Sequence, residues 1–554
     1  MKQVEIYCKN TNSTHNYSLG TSLLEISKDL NIQFENTVCG AIVNNQVKEL
    51  SFCIVKSKHI EFFDVSHPDG IRMYTRSLIF VLYAAVKEIF PNVSLRIQNA
   101  ISRGYFCELN GLESEITDSD IFSVQQEMKQ IIQQDLPFVK NDLLTENAVE
   151  LLTKQGLNNK AELFEQQGHL YSSLYFLNEL GNYFYGQLLP STTYIANFGL
   201  TKYFDGVLLQ IPKRKNFQKL RKIEKQNKLF EIYQEHKDWA GILNVSTIGN
   251  LNELTLQKRC GHAIKISEAL HEKKIAEIAN RISSKNGDVK VVLVAGPSAS
   301  GKTTFSKRLG VQLSVNGMQP YQISLDNYFV DREKTPKDEF GEYDFETLEA
   351  IDIAFFNKQL LELMDGKEVQ LPKFDFQQGK RDFNGKTLKL LPGDILIVEG
   401  IHGMNPNLLT KVKAENTFKI FISALTQISF DEHTHISTAD NRLIRRMIRD
   451  SKYRGYPAWE TIKRWPSVRR GEEKNIFPYQ ENADVMFNSA TLYELGVLKK
   501  YADPILKQVT ENRDEYNEAT RLLDFLSYFK PINDDEIPPT SLLREFLGGS
   551  SFAY

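Results

Sequence analysis

The chain has 554 residues, of which 41% are apolar and 25% are charged, and its formal net charge is −3. This length predicts several domains, because single hydrophobic cores stop growing at about 250–300 residues. The charge gives no general attraction to nucleic acids or anionic membranes, and no apolar run reaches the roughly 18 residues that cross a bilayer. The five scattered cysteines form no CxxC pair, which is typical of reduced thiols in a cytoplasmic protein.

The first 285 residues predict three units. Residues 1–65 alternate short strand-like segments around one helical stretch, SLLEISKDL, as a small α+β domain does. Residues 66–212 begin with the apolar helix YTRSLIFVLYAAVKEIFP and predict a second α+β domain. Residues 213–285 predict a helical connector. Its first part, KRKNFQKLRKIEK, has seven basic residues and one acidic residue, so it is either an RNA-contacting run or the solvated face of a helix.

The pattern changes after residue 285. Residues 286–490 contain five apolar strand segments, most of them separated by helical segments, which predicts an α/β domain with a doubly wound parallel sheet. Residues 491–554 predict a helical extension that is interrupted by two prolines at 538–539.

The segment GPSASGKT follows the first of these strands, VKVVLVA, and precedes a helix. The glycines at 296 and 301 let backbone N–H groups turn toward phosphate oxygens. The lysine neutralises the terminal phosphates, and the threonine offers a hydroxyl to Mg²⁺. The positive end of the helix points at the same anion. We therefore expect ATP or GTP to be bound by Gly296, Pro297, Ser298, Ala299, Ser300, Gly301, Lys302, Thr303 and Thr304.

Two carboxylates end strands of the same unit: Asp326 closes YQISLD and Glu399 closes DILIVE. In an open parallel sheet, ligands bind beyond the carboxyl ends of the strands. One acid can accept the proton of an attacking hydroxyl, and the other can hold Mg²⁺ together with Thr303. A strand-terminal acid can also serve only as a cap, but two such acids beside a phosphate loop favour catalysis.

The helical segment ADNRLIRRMIRD places Arg442, Arg446 and Arg449 within about 60° of one another. Such a stripe is either a solvated basic face or a lid that stabilises negative charge on transferring phosphates. Because the segment follows the fourth strand of a nucleotide-binding unit, we favour the lid.

Together, GPSASGKTTFSKRL, SLDNYF, FDFQQGKR, IVEGIHG, RLIRRMIRD-x-x-x-RG and the ADV strand resemble the uridine kinase/phosphoribulokinase family over about residues 290–490. That resemblance implies a P-loop kinase in which Asp326 is the catalytic base and Glu399 the magnesium-associated acid. It also implies catalytic roles for Lys302, Arg446 and Arg449. The implied acceptor-binding residues are Asp344, Phe374, Asp375, Phe376, Arg381 and Arg454.

The acceptor loop departs from the uridine kinase pattern YDFxxHxR. The chain has Phe374 in place of the tyrosine and Gly379 in place of the histidine, so both side chains that read a pyrimidine base are changed. Losing base-reading hydrogen bonds relaxes or alters specificity. A nucleoside remains the favoured acceptor, and a sugar or sugar phosphate is the alternative.

The front half has its own resemblance. Residues 1–65 resemble the TGS domain, a β-grasp-like unit of threonyl-tRNA synthetases, and residues 66–212 resemble the editing domain that follows it there. The HSxxH motif of that domain is replaced by Arg76 and Phe80, and its CxxxH motif by Phe184 and Leu188. We therefore predict core roles for Phe80, Phe184 and Leu188, and we expect neither editing hydrolysis nor bound zinc.

The sequence thus predicts a cytoplasmic, Mg²⁺-dependent kinase that uses ATP or GTP to phosphorylate a hydroxyl of a small metabolite. A nucleotide-dependent RNA- or ribosome-associated regulator is the alternative from another class, and the oligomeric state stays open. The histidines of DEHTHIS, at 433 and 435, are interpreted as a polar loop rather than a metal site.

Overall fold

The structure is a computed structural model that describes residues 2–214, 216–285, 287–339, 341–375, 378–383 and 385–553. Phe376, a predicted acceptor residue, lies outside these ranges. Within them, no helix is both long enough and apolar enough to cross a bilayer.

Residues 2–65 form a five-stranded sheet in the order β2-β1-β5-β3-β4, with β1 and β5 parallel. One helix packs on it, and Ser22 and Glu25 cap its N-terminus reciprocally. The elements are β1 (Gln3–Cys8), β2 (Ser13–Ser18), α1 (Leu23–Asp29), β3 (Val38–Val43), β4 (Gln46–Glu49) and β5 (Lys58–Asp64). This is the expected β-grasp-like arrangement.

The next unit has a four-stranded sheet, β11-β12-β7-β6, and a three-stranded sheet, β10-β9-β8. Its central helix α2 starts at Pro68, where a missing N–H costs nothing, and is buried along most of its length. The elements are α2 (Pro68–Ile89), β6 (Ser94–Ile101), β7 (Gly104–Asn110), α3 (Asp118–Gln133), β8 (Val139–Leu144), α4 (Thr145–Lys154), α5 (Asn158–Gln167), β9 (Tyr171–Leu177), β10 (Leu180–Asn182), β11 (Gly199–Tyr203) and β12 (Gly206–Gln210).

The described residues of the basic run, 213–214 and 216–225, are not helical, which corrects the expectation of a helical connector from residue 213. Its first part forms the short hairpin β13 (Pro212–Lys213) and β14 (Asn216–Leu220), and helix starts only at Asn227. The carbonyl of Arg221 accepts a hydrogen bond from Gln210 (3.0 Å), so tertiary contacts hold this run extended. The helices that follow are α6 (Asn227–Leu243), α7 (Ile248–Leu256) and α8 (Cys260–Ser283).

Residues 286–490 are built on a five-stranded parallel sheet in the order β16-β21-β15-β22-β23. The strands of this sheet are β15 (Val291–Ala295), β16 (Gln319–Ser324), β21 (Asp394–Glu399), β22 (Thr417–Ser423) and β23 (Val485–Asn488). The central strand β15 is buried on both faces, as expected for a parallel sheet covered by helices. The predicted doubly wound α/β fold is therefore confirmed.

Helices and short strands surround this sheet and continue beyond it. They are α9 (Lys302–Val315), α10 (Ile353–Met364), β17 (Val369–Gln370), β18 (Lys373–Asp375), β19 (Lys380–Asp382), β20 (Thr387–Leu388), α11 (Thr438–Arg454), α12 (Ala458–Asn475), α13 (Glu494–Leu506), α14 (Tyr516–Ser527) and α15 (Arg544–Leu547). We propose domain boundaries near 65, 212, 285 and 490. The hydrophobic core nevertheless continues across them, since Phe106 and Leu208 share a cluster with Leu293.

Candidate active site

The phosphate loop joins β15 to α9 at the carboxyl end of the sheet. Gly301 adopts a left-handed conformation (φ 83°) and so does Ala299 (φ 58°), which is strained for a residue with a side chain. A Cβ atom on Gly296 would lie 2.0 Å from the carbonyl oxygen of Ile422. The backbone is thus forced into a tight turn, and only glycine fits at its start.

Buried charges hold this loop from behind. Glu472 of α12 pairs with Arg442 (Nη2–Oε2 2.7 Å) and accepts a hydrogen bond from the Ser298 N–H (3.1 Å). Arg442 donates to the carbonyl of Ser298 (3.0 Å), and both Arg442 and Glu472 are fully buried. Although burial raises the pKa of Glu472, Arg442 outweighs it and holds that pKa below its usual range. Arg442 therefore positions the loop rather than facing the transferring phosphates, which corrects the predicted three-arginine stripe.

Arg445, which the stripe omitted, supports the other side of the loop. It is fully buried, pairs with Glu494 and donates to the backbone oxygen of Ser489 (3.0 Å). The Ser489 hydroxyl in turn donates to the carbonyl of Ser300. Residues of α11, α12 and the end of β23 thus support the loop. The spacing of arginines along the sequence could not identify this support, because it does not show which residues are buried against other elements.

Thr303 and Glu399 meet as expected for a magnesium site. The Thr303 hydroxyl lies 3.2 Å from Oε2 of Glu399, at the end of β21. Burial raises the pKa of Glu399 to about 7; Lys302 lowers it and Asp326 raises it. A hydroxyl beside a carboxylate in a cationic loop is a donor set that suits Mg²⁺. Lys302 itself donates to the carbonyl of Pro297 (3.2 Å).

Asp326 lies two residues beyond β16, in a 3-10 turn formed by Leu325–Tyr328, rather than at the strand end. Its side chain is exposed to water. The surrounding protein nevertheless raises the pKa of its carboxyl through desolvation, while Lys302, Arg454 and Arg449 lower it. Asp326 therefore lies within electrostatic reach of the phosphate-loop lysine and two arginines of α11, and its role as the catalytic base stays a prediction.

Three other arginines of α11 converge on one acid. Asp450 is buried and binds Arg446 (3.3 Å), Arg449 (2.9 Å) and Arg454 (3.3 Å). Arg446 also donates to the hydroxyl of Ser298 in the phosphate loop (2.9 Å). Three guanidinium groups around one carboxylate leave excess positive charge beside the loop, which suits a lid over phosphates.

Glu346, which the sequence pattern did not indicate, interacts electrostatically with Arg446, Lys302 and Asp326. Burial raises the pKa of Glu346 to about 7, with Glu472 raising it further and Arg446 and Lys302 lowering it. Asp344 instead accepts the N–H of Glu346 (3.0 Å) and shapes the turn. The signal available in the sequence was the third acid of EYDFETL.

The predicted acceptor loop packs closely against the turn that carries Asp326. Arg381 binds Asp352 (3.2 Å) and donates to the carbonyls of Tyr328 (3.2 Å) and Phe329 (3.0 Å). Phe374 is buried against Phe329. These two residues hold the base-bearing turn in place, and their contact with an acceptor stays a prediction.

Asp375 and Gly379 close the same loop. The Asp375 carbonyl accepts the N–H of Gly379 (2.7 Å), and its carboxylate accepts the N–H of Gln378 (3.0 Å). Gly379 is left-handed (φ 69°), and a Cβ atom there would lie 2.8 Å from the Arg332 side chain. A histidine at this position would meet both backbone strain and crowding.

The C-terminal extension reaches the phosphate loop. Glu545 of α15 accepts hydrogen bonds from the N–H (3.1 Å) and the hydroxyl (2.7 Å) of Thr304. Thr304 is the third residue of α9, so its N–H belongs to the first turn, where no intrahelical acceptor exists. This contact links residues more than 200 positions apart, and no local pattern indicates it.

The front half supports the predicted core roles. Phe80, Phe184 and Leu188 are buried in one hydrophobic cluster. The loop 431–437 docks on this cluster: the His433 ring packs on Tyr83 (centroids 4.5 Å apart). Lys160 lies 3.5 Å from Asp431, with both side chains fully buried. His433 is thus part of an interface between the two halves rather than of a polar surface loop.

Comparisons with known proteins match the two halves to different groups. Residues 291–494 match the phosphoribulokinase / uridine kinase family. The front half is similar to threonine–tRNA ligases: that of Desulforamulus reducens is 30% identical over 151 residues, 27% of this chain and 24% of the ligase. The ligase of Francisella tularensis subsp. tularensis is 23% identical over 190 residues, 34% of this chain and 30% of the ligase. The chain spans less than a third of either relative. The predicted resemblances to the kinase family and, for the front half, to threonine–tRNA ligases are confirmed.

Solved structures of kinases are similar to part of the chain. A possible uridine kinase from Bacillus stearothermophilus is 19% identical, covering 39% of this chain and 98% of that one, with a TM-score of 0.27. D-glycerate 3-kinase from Cryptococcus neoformans var. grubii is 15% identical, covering 48% and 89%, with a TM-score of 0.22.

Proposed function

We propose that the chain is a kinase that transfers the γ-phosphate of ATP or GTP to a hydroxyl of a small metabolite, with a nucleoside as the favoured acceptor. The observation that carries the proposal is the convergence of Lys302, Asp326 and Glu399 at one edge of the sheet. A phosphate loop alone serves many nucleotide hydrolases and switches. The added carboxylate of Asp326, which an acceptor can reach, is what a transfer to an alcohol requires.

In the proposed reaction, the phosphate loop binds the nucleotide. Its backbone N–H groups and the N-terminus of α9 face the phosphate oxygens, and Lys302 exchanges its contact with the Pro297 carbonyl for the terminal phosphates. The buried Arg442–Glu472 pair keeps the loop in this shape. Binding therefore requires no large rearrangement of the loop backbone.

Asp326 accepts the proton of the attacking hydroxyl as the phosphoryl group is transferred. Its side chain is exposed to water, so an acceptor can reach it. Desolvation raises its pKa and keeps it basic enough to take a proton, while Lys302, Arg454 and Arg449 keep it ionised. Arg446 and Arg449 stabilise the charge on the transferring group and exclude water when the lid closes.

Thr303 and Glu399 would hold Mg²⁺, and their 3.2 Å separation fits that role. When bound, the ion neutralises phosphate charge and orients the terminal phosphoryl group. Glu399 must be ionised to take part, and its pKa near 7 ties this step to pH.

A sugar or sugar-phosphate acceptor is the second candidate. It is favoured by the surroundings of Gly379, where the left-handed backbone and the Arg332 side chain leave no room for a base-reading histidine. Phe374, buried on Phe329, offers no hydroxyl to a base either. An acceptor without a pyrimidine would need neither group.

The deciding experiment is a screen for stimulated ADP release. ATP turnover is measured with Mg²⁺ and each of a set of nucleosides, sugars and sugar phosphates, with Lys302→Ala as the control. A kinase gives a many-fold rise with one acceptor class, and the class that works separates the two candidates. Turnover that no acceptor stimulates, together with salt-sensitive RNA binding, would instead support the nucleotide-dependent regulator.

A further inference from the structure

A cleft of about 360 Å³ lies where the front half meets the kinase unit. We call it the β6–α6 cleft. Its walls are β6 with Arg96, α6 with His236 and Lys237, and the segment 426–429 that follows β22. Backbone hydrogen bonds fasten these walls together: Ile97 donates to the carbonyl of Glu432 (2.8 Å), and Ser429 donates to that of Ser246 (2.9 Å). The cleft is therefore built jointly by both halves, and its volume lies in the range of small-molecule sites.

The chemistry of the lining is cationic and rich in hydrogen-bonding groups. Among the described residues that line the cleft none is acidic, and amide and hydroxyl side chains alternate around Arg96 and Lys237. Lys237 is partly neutralised by Glu108 (2.7 Å) behind it. Arg96 forms no ion pair with any residue in the described part of the chain. A net positive cleft of this kind selects an anion.

His236 provides a second, independent sign of a ligand. It is 4% exposed, lines the cleft, and neither ring nitrogen has a hydrogen-bond partner within the described ranges. Burying a polar group without a partner costs free energy, so the two unpaired ring nitrogens, which are buried in the wall of the cleft, would gain from a ligand group that reaches them. As a neutral ring it can donate one hydrogen bond and accept another.

We infer that the β6–α6 cleft binds a phosphorylated metabolite of about nucleotide size, with Arg96 on the phosphate and His236 on a polar group of the ligand. The site is separate from the phosphate loop. One wall of the cleft nevertheless lies next to the phosphate loop. Asn488 lines the cleft, and its side-chain oxygen accepts a hydrogen bond from the N–H of Leu425 (2.8 Å). The hydroxyl of the adjacent Ser489 donates a hydrogen bond to the carbonyl of Ser300 in the phosphate loop. The front half thus contributes a binding wall rather than a hydrolytic site.

Calorimetric titration of the full chain tests this inference with paired probes, ribose 5-phosphate against ribose and UMP against uridine. We expect at least one phosphorylated probe to bind at least tenfold more tightly than its unphosphorylated partner. Arg96→Gln should lose that binding by at least tenfold. Arg103→Gln, on the exposed turn of the same hairpin and outside the cleft, should stay within twofold.

Two further variants separate this cleft from the active site and from a folding defect. Gly241→Trp places a large ring in the cleft, where a Cβ atom meets open space, and it should block binding without removing a charge. Asp326→Asn changes the proposed acceptor site and should leave the cleft's affinity unchanged. Binding that is lost in Asp326→Asn but kept in Arg96→Gln, equal binding of both members of each pair, or no binding of any probe at millimolar concentration overturns the inference.

A second inference rests on the proposed function and on a different observation, the contact of Glu545 with Thr304. The N–H of Thr304 is one of the donors that a phosphate loop offers to a nucleotide, and the Glu545 carboxylate already occupies it. The segment around Glu545 is firmly seated: Phe546 and Leu547 are buried, and the carbonyl of Leu547 accepts a hydrogen bond from Lys452 of α11.

We propose that the C-terminal segment 541–548 restrains nucleotide binding, with Glu545 standing in for a phosphate oxygen. A triphosphate that approaches the start of α9 meets this negative charge and must displace it. Because the segment also contacts the lid helix α11, its release would free both the phosphate site and the lid.

The test compares the ATP affinity of the wild-type protein with that of Glu545→Gln, a substitution that keeps the side-chain size. Affinity should rise on the order of tenfold, because the repulsion between two anions at short range is removed. Glu536→Gln changes an exposed acid that precedes this segment and pairs with Lys265; it serves as the control and should not change affinity. Unchanged or weaker ATP binding by Glu545→Gln overturns the inference. Lys302→Ala reports on the proposed function separately, since wild-type ATP affinity in that variant would refute the phosphate site itself.

Discussion

The buried pair beneath the phosphate loop gives the sharpest stability prediction. Glu472→Gln keeps the shape of the side chain but removes its charge and turns an amide N–H₂ group toward donors. Arg442, which is fully buried, then lacks its counter-ion, and either Arg442 or the Ser298 N–H loses its acceptor. Breaking a buried ion pair by removing one partner costs about 3–5 kcal/mol. For a domain of about 200 residues this corresponds to a Tm lower by roughly 6–20 °C.

Thermal unfolding followed by circular dichroism measures this change, and ATP titration measures its effect on the loop. Glu473→Gln is the matched control, because Glu473 is the next residue of α12, is 55% exposed and contacts only Arg469 at 3.4 Å among the described residues. An exposed pair of this kind contributes less than about 1 kcal/mol. If Glu472→Gln melted at the same temperature as Glu473→Gln, the assigned support of the phosphate loop would be wrong.

Three further predictions concern the site directly. Lys302→Ala should reduce phosphate transfer at least a hundredfold and weaken ATP binding, measured by ADP release and calorimetry, since no other group replaces its charge on the terminal phosphates. The pKa of Glu399, near 7, predicts that Mg²⁺-dependent ATP affinity falls as pH drops from 8 to 6, because protonation removes the acid that holds the ion; a flat profile would contradict this. Gly379→Ala should lower the free energy of unfolding by about 1–2 kcal/mol, because the φ of 69° and the Arg332 side chain disfavour a Cβ atom. Denaturant unfolding measures this change, and an unchanged free energy would show that the loop accommodates a Cβ atom.

The sequence was sufficient to predict those features of the fold and the candidate site that depend on neighbouring residues. The strand before Gly296, the helix after Lys302 and the acid at the end of β21 all follow from short-range patterns, and the structure has each of them. The parallel sheet followed from alternating apolar strands and helices in the same way.

What could not be predicted depends on contacts between distant segments. Helical periodicity placed Arg442 on the same face as Arg446. The structure instead buries Arg442 in an ion pair with Glu472, which lies on another helix. The basic run 213–225 has helical composition, yet packing against β12 makes part of it a hairpin. The contact of Glu545 with Thr304 joins the C-terminus to the phosphate loop and depends on the folding of everything between them.

The central claim is that an alcohol is phosphorylated while Asp326 takes its proton. The most direct test is turnover of Asp326→Asn with the best acceptor found, since asparagine keeps the shape but cannot accept that proton at neutral pH. We predict a fall in kcat of about 10²–10⁴ with ATP affinity changed no more than a few-fold. Wild-type turnover in this variant would contradict the account.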